Sequence, residues 1–270
     1  MHNAQPKEQT AVVVGASGGL GLALTRALSL RPGIKTVIAL SRSVPDSPAS
    51  TSRLDDRPVI DGAREADADD LVPGTHWYRA DAADPEQLSA AATRIADDHG
   101  RVHLLITCVG ALHGGQANPE LQPEKSLSAL RLSNLHRSVE INAFAPLAAL
   151  HAFLPLLRHD EGAVAATLSA MVGSIGDNSL GGWYSYRMSK AALNMGLRNA
   201  AIECARLRDG PRVVAIHPGT TLTALSEPFV RRHPHRSAAE SAERILDVIA
   251  GLAADDTGKF FNWDGREIPW

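Results

Sequence analysis

Residues 10–28 constrain this chain most. Thr10-Ala11-Val12-Val13-Val14 is a short apolar, β-branched run that stops at Gly15-Ala16-Ser17-Gly18-Gly19. Helical periodicity follows at once, with Leu20, Leu22, Leu24, Ala27 and Leu28. A buried strand running through glycines into a helix demands a tight turn, and the helix start presents backbone N–H groups with partial positive charge. That is a cradle for a phosphate or pyrophosphate. Pro32-Gly33 ends the helix, and residues 36–40 predict a second buried strand, giving a βαβ opening. The same turn also fits GxSxG with Ser17 as a nucleophile. A hydrolase elbow there leaves no upstream strand for the second oxyanion donor, and no Asp and His follow in the required order.

The alternation continues to the end of the chain. Strands are predicted at 76–79, 102–107, 163–168, 212–216 and 258–262. Helices are predicted at 85–99, at 127–157 with kinks near Pro146 and Pro155, at 183–206 and at 238–253. This pattern predicts one doubly wound Rossmann-type α/β domain over 1–270, with a parallel sheet of about seven strands. Aromatics make up only 4% of the 270 residues, so the core rests on aliphatic side chains, which suits helices on a parallel sheet. Residues 43–74 are rich in proline and acidic residues without a clean period, and read as a flexible surface insertion.

A net charge of -3 gives no basic footprint for nucleic acid. No apolar run approaches the roughly 20 residues of a membrane span, and residues 1–10 lack the apolar stretch of a signal peptide. Cys108 and Cys204 have neither metal nor disulfide spacing, so no metal site is expected and the thiols suit a cytoplasmic protein.

The second strand ends Leu40-Ser41-Arg42-Ser43 rather than in Asp or Glu. An acidic residue there would hold a ribose 2′-hydroxyl. Arg42, with Ser41 or Ser43, instead suits a 2′-phosphate, favouring NADP (NADPH) with NAD as the alternative. Asp81 has two readings, an acceptor for an adenine amino group or a turn and cap residue. Tyr186-Arg187-Met188-Ser189-Lys190 sets a phenol and an ammonium four apart on one helix face. An unperturbed phenol titrates near 10, and a neighbouring ammonium is expected to lower that value, fitting Tyr186 for proton transfer at a carbonyl or alcohol oxygen.

Together these motifs resemble the short-chain dehydrogenases/reductases: GASGGLG at 15–21, Asp81, CVGA at 108–111, Asn142, YRMSK at 186–190 and HPG at 217–219. The stretches at 173–194 and 217–229 and the terminal FNWDGREIPW look closest to the branch holding the C-factor proteins and sniffer-type carbonyl reductases. The resemblance implies roles. Gly15, Ser17, Gly19, Leu20 and Gly21 contact the dinucleotide, and Gly110 lets the backbone pass close to the adenosine ribose. Pro218, Gly219, Thr221 and Thr223 contact the nicotinamide carboxamide. Tyr186 is the acid/base, and Lys190 its partner and ribose ligand. Asn142 holds a water that relays protons to Lys190, or bonds helix backbone where the helix bends.

One departure stands out. The usual pattern after the fifth strand puts a carbonyl-polarising serine at the position held here by Ala170; Ser169, or else Ser174, is expected to substitute. The partner implied is a small-molecule carbonyl or alcohol, and the assembly a homodimer or homotetramer built on the helices of Asn142 and Tyr186. The competing reading is a nucleotide-binding regulator of the C-factor type with little turnover. Arg231, Arg232, His233, His235 and Arg236 read as a solvated lid, or as an attractor for an anionic substrate. His217 reads as a structural hydrogen-bonder.

Overall fold

Side chains of the strands alternate between two cores. Val12, Val14, Ile38 and Leu40 face one side of the sheet with Leu88, Ile95, Ala149, Phe153, Leu157, Leu193 and Leu197. Ala11, Val13, Val37 and Ala39 face the other, with Leu24, Leu28, Ala242, Ile245 and Ile249. Period-two alternation with both faces apolar is what a parallel sheet covered twice by helices requires. Each fully buried Leu, Ile or Phe contributes roughly 1.5–3 kcal/mol.

The structure is a computed structural model and describes residues 8–43, 74–114, 120–227 and 235–270. The strands are β1 (Gln9–Val14), β2 (Ile34–Ser41), β3 (Thr75–Arg79), β4 (Leu104–Thr107), β5 (Val164–Leu168), β6 (Arg212–His217) and β7 (Phe260–Asn262). They form one seven-stranded sheet in the order β3-β2-β1-β4-β5-β6-β7, every pairing parallel. One face carries α2 (Pro85–His99), α4 (Ala145–Leu157) and α5 (Tyr184–Cys204). The other carries α1 (Gly19–Ser29) and α6 (Ala238–Ala250). The predicted fold class stands. The order reverses between β1 and β4, and the crevice beyond the carboxyl ends of those strands is where such sheets bind ligands.

The helical stretch predicted over 127–157 differs in detail. It is a short 3₁₀ turn, then α3 (Leu132–Val139), a π-helical turn (Glu140–Phe144) and α4. The break is the π turn, just before Pro146, which has no N–H for the Asn142 carbonyl four residues back; Pro155 lies inside α4. Over Leu132–Leu157 this stretch is also long and apolar enough to cross a membrane by length and composition, contrary to the sequence expectation. In the fold its apolar stripe, Ala149, Leu150, Phe153 and Leu157, is spent on the sheet. Most of the insertion read at 43–74 lies outside the described residues.

Candidate active site

The glycine turn closes at the carboxyl end of β1. Gly15 takes φ +86, and a Cβ there would come within 3.3 Å of the Cys108 and Val109 backbone at the end of β4. A Cβ on Gly21 would lie 2.2 Å from the Gly15 carbonyl oxygen, so no other residue lets α1 approach β1 this closely. Gly18 caps α1 without a side-chain bond, and no acidic residue occupies the first turn. The N–H groups of Gly19, Leu20 and Gly21 therefore lack intrahelical partners, beside an exposed Ser17. A Cβ on Gly19 would lie 3.3 Å from the Thr223 side chain, so the segment after β6 comes close to this turn.

Arg42 stands exposed just past the end of β2. The Ser41 hydroxyl donates to the Ser43 carbonyl, whereas Ser43 Oγ is buried with no partner among the described residues. Uncapped N–H groups, an exposed guanidinium and an orphaned hydroxyl together fit a phosphorylated dinucleotide. Asp81 makes a turn: its Oδ1 accepts from Ala83 N–H at 2.9 Å, while the cap of α2 is Asp84.

The predicted catalytic residues come together beyond β4 and β5. Tyr186 and Lys190 occupy the first two turns of α5, and Lys190 Nζ donates to the Leu168 carbonyl at 3.1 Å. A Cβ on Gly110 would stand 3.1 Å from Asn142 Oδ1 and 3.4 Å from Lys190 Nζ, so those two atoms flank one small space. The Asn142 amide clamps the backbone of one residue on both sides: Oδ1 accepts from Ala111 N–H at 2.7 Å, and Nδ2 donates to the Ala111 carbonyl at 2.8 Å and to Ser189 Oγ at 3.1 Å. Asn142 sits in the π turn, whose extra residue lets it reach sideways.

Electrostatics differ from the sequence expectation. Burial pushes the Tyr186 phenol up to about 12. Burial also pushes Lys190 down to about 8, with Cys108 acting in the opposite direction. The Cys108 thiol is itself pushed up to about 12, again by burial. Desolvation thus outweighs the expected effect of the ammonium on the phenol.

Neither substitute serine has a free proton. Ser169 Oγ donates to Asn194 Oδ1 at 2.6 Å, and Asn194 Nδ2 donates to the Gly173 carbonyl at 3.2 Å. Ser174 Oγ donates to the Pro269 carbonyl. The expectation that one of them faces a substrate runs against these bonds, because a hydroxyl has a single proton to give.

Beyond β6, Thr221 is buried and bonds Ser241 Oγ of α6 at 2.8 Å. Gly219, at φ +77, lies against the Arg236 guanidinium, which stacks 3.3 Å over the Trp263 ring. His217, expected to be a hydrogen-bonder, is pushed down to about 4 by burial and then by Arg236, and its Nδ1 has no partner among the described residues. Of the predicted basic cluster, residues 231–234 lie outside the described residues.

Two features have no local sequence signal. Trp183, at φ 50, follows Gly181 and Gly182 in the left-handed region, and its ring stands edge-on to Tyr186 at 6.2 Å. The buried Glu124 carboxylate then meets the start of α5, accepting from Ser185 N–H at 3.1 Å and Ser185 Oγ at 2.6 Å. Burial works to raise the Glu124 carboxyl, but the bonds from Ser185 outweigh it and hold the group below its usual range. A residue 61 positions from Ser185 thus caps the helix that carries Tyr186, an arrangement no local spacing reveals.

Residues 9–233 match the short chain dehydrogenase family. The chain belongs to that family. It is similar to the 1-hydroxy-2-glutathionyl-2-methyl-3-butene dehydrogenase of Rhodococcus sp. (strain AD45), 29% identical over 97% of this chain and 99% of the relative. It is also similar to C-signal of Myxococcus xanthus, 35% identical over 54% of this chain and 84% of that one, in keeping with the branch read from the sequence. Among solved structures, NADPH-bound carbonyl reductase from chicken fatty liver superposes with a TM-score of 0.77 at 26% identity, covering 97% of this chain and 100% of that chain. The chain is an oxidoreductase acting on carbonyl or alcohol groups.

Proposed function

We propose that this oxidoreductase uses NADP(H), with Tyr186 as its acid/base. The observation that carries the reading is the phenol one helical turn from Lys190, beside the crevice opened by the glycine turn. Gly15, Ser17, Gly19, Leu20 and Gly21 hold the pyrophosphate. Arg42 and Ser43 take the 2′-phosphate, Asp81 the adenine edge, and Gly110 passes the adenosine ribose. Pro218, Gly219, Thr221 and Thr223 frame the carboxamide. When bound, the nicotinamide supplies or accepts the hydride.

A phenol held up near 12 keeps its proton at neutral pH. Tyr186 therefore donates to a carbonyl oxygen as negative charge develops there. Lys190 stabilises the phenolate left behind and bonds the ribose. The space between Asn142 Oδ1 and Lys190 Nζ suits one water that returns a proton to Lys190. Ser169, bound to Asn194, serves the frame of the site.

Leu132 (68% exposed), Phe144 (63%) and Met195 (64%) present apolar surface on α3, the π turn and α5, and we assign that surface to a second copy in a homodimer or homotetramer. Free Cys108 and Cys204 suit the cytoplasm. The second reading, a nucleotide-binding regulator with little turnover, is favoured by the committed protons of Ser169 and Ser174.

The test follows NADPH and NADH absorbance against a carbonyl panel that includes a glutathionyl aldehyde, the carbonyl counterpart of the primary alcohol for which the Rhodococcus relative is named. NADPH-linked turnover that falls at least about a thousandfold in Tyr186→Phe, with NADPH binding kept, supports the enzyme reading. Tight NADPH binding without turnover on any compound favours the regulator.

A further inference from the structure

At the opposite, amino-terminal edge of the sheet stands a cluster the active site does not use. His103 immediately precedes β4, and His159 and Glu161 lie in the turn between α4 and β5. One ring nitrogen from each histidine and a carboxylate oxygen of Glu161 all lie within 4.8 Å of one another.

The hydrogen bonds settle where the protons are. His159 Nε2 faces the Val102 carbonyl at 2.9 Å, and a carbonyl can only accept, so Nε2 carries the ring proton. Its Nδ1 is then a bare lone pair, buried and without a partner among the described residues, on a residue 7% exposed. His103 is the reverse. Its Nδ1 accepts from Thr10 N–H at 3.1 Å, so its Nε2 carries the proton and donates to Glu161 Oε2 at 2.8 Å. A metal on His103 Nε2 would require an anionic ring, whereas a metal on His159 Nδ1 displaces no proton.

We propose that His159 Nδ1 and Glu161 bind a divalent cation of the zinc class, with His103 orienting the carboxylate as a positioning residue. An imidazole nitrogen beside a carboxylate suits Zn²⁺ or Ni²⁺; Mg²⁺ and Ca²⁺ prefer all-oxygen shells. Ligating carboxylates are themselves held by outer-shell hydrogen bonds, and the His103 N–H supplies one to Glu161. Two ligands on one tetrahedral ion stand about 3.4 Å apart for bonds of about 2.1 Å, so the cluster must close slightly. Glu161, with a side chain 25% exposed, is the member able to move. Arg101 is the opposing charge: its guanidinium lies 3.5 Å from Glu161 Oε1 and 3.2 Å from Asp160 Oδ1. His159 and Asp160 also line an open cleft of about 610 Å³, with Arg101, Arg158 and Arg208 as its cations, which leaves room beside His159 for waters to complete the ion's shell.

A cation here ties the α4–β5 turn to the entrance of β4, next to β1. It lies at the far end of the strands from Tyr186, so it stabilises the fold and leaves turnover unchanged.

The experiment takes the whole protein, freed of metal by a chelator, and titrates Zn²⁺, Ni²⁺ and Mg²⁺ separately by calorimetry, with Tm read in parallel. The expected result is one Zn²⁺ or Ni²⁺ per chain, no response to Mg²⁺, and a Tm raised by roughly 5 °C at a hundredfold excess over Kd. Glu161→Gln, at a partly exposed position that does not endanger folding, and His159→Gln are each expected to weaken binding at least about tenfold. Absence of saturable binding overturns the site. So does binding that both variants leave intact, which would place the ion elsewhere, such as at the His76–His99 ring pair.

Discussion

The two halves of the active-site crevice are built by opposite means. Around β1 and α1 the site is made of side chains that are missing: Gly15 and Gly21 let strand and helix meet, and Gly18 leaves the helix start uncapped. Around β5 and α5 it is made of side chains that reach far along the chain. Asn142 clamps Ala111, Glu124 caps Ser185, and Ser169 bonds Asn194. A half built from absence has no tolerance for added atoms. A half built from reach fails bond by bond and by degrees.

The sharpest way to break this contrast is Gly21→Val. With the Gly15 carbonyl 2.2 Å from the new Cβ, the turn must open; NADPH binding is expected to be lost and the Tm to fall by several degrees, read by calorimetry and thermal melts. A variant that still binds NADPH normally would show that the glycine half is not so strict.

Next in size is Lys190→Met, expected to cut turnover by about a hundredfold or more. Its pH signature tests the electrostatics. Burial brings Lys190 from its ordinary 10.5 down to about 8 in the folded chain, so between these pH values the unfolded chain binds the extra proton. Wild-type stability from this group therefore rises with pH across that window, and Lys190→Met should flatten the rise. Carbonyl reduction by the wild type should decline as pH climbs through about 8, when Lys190 loses its charge.

Glu124→Gln removes the charge but can still accept one bond from Ser185. We expect kcat to fall about tenfold with KM little changed, since the variant loosens the helix start that carries Tyr186. The smallest effect is expected from Ser169→Ala, within about threefold in kcat/KM, because its proton is already given to Asn194. A loss of a hundredfold or more in Ser169→Ala would mean that this hydroxyl serves the substrate.

The contrast also explains what could be read from the sequence. The glycine half lies within seven consecutive positions, 15–21, and a turn that requires small residues announces itself by spacing. Tyr186 and Lys190 were equally legible, being four apart on one helix. Every strand, and helices α1, α2, α5 and α6, can be anticipated to within a few residues because each strand is a short aliphatic run and each of these helices carries its own period; the π turn that divides residues 132–157 cannot. The partners of Glu124, Ser169 and His159 were not legible. They lie tens of residues away, and the adjacency of β4, β5 and α5 that joins them exists only after folding. The state of the Tyr186 phenol is hidden from the sequence for the same reason. Its neighbouring ammonium is visible in sequence, whereas the burial that overrides it is a property of the packed molecule.

The π turn at Glu140–Phe144 has a consequence for how this chain tolerates insertion and deletion. One extra residue in a helix rotates everything beyond it by about 100°. The apolar stripe of α4 meets the sheet only because that rotation has been counted in. Deleting a single residue from 140–144 would restore regular helical bonding there and turn Phe153 and Leu157 away from their pockets. It would also withdraw Asn142 from Ala111. A local repair of the helix would thus unseat both the core and the site, so this irregularity acts as the phase reference between the two halves of the longest helical stretch.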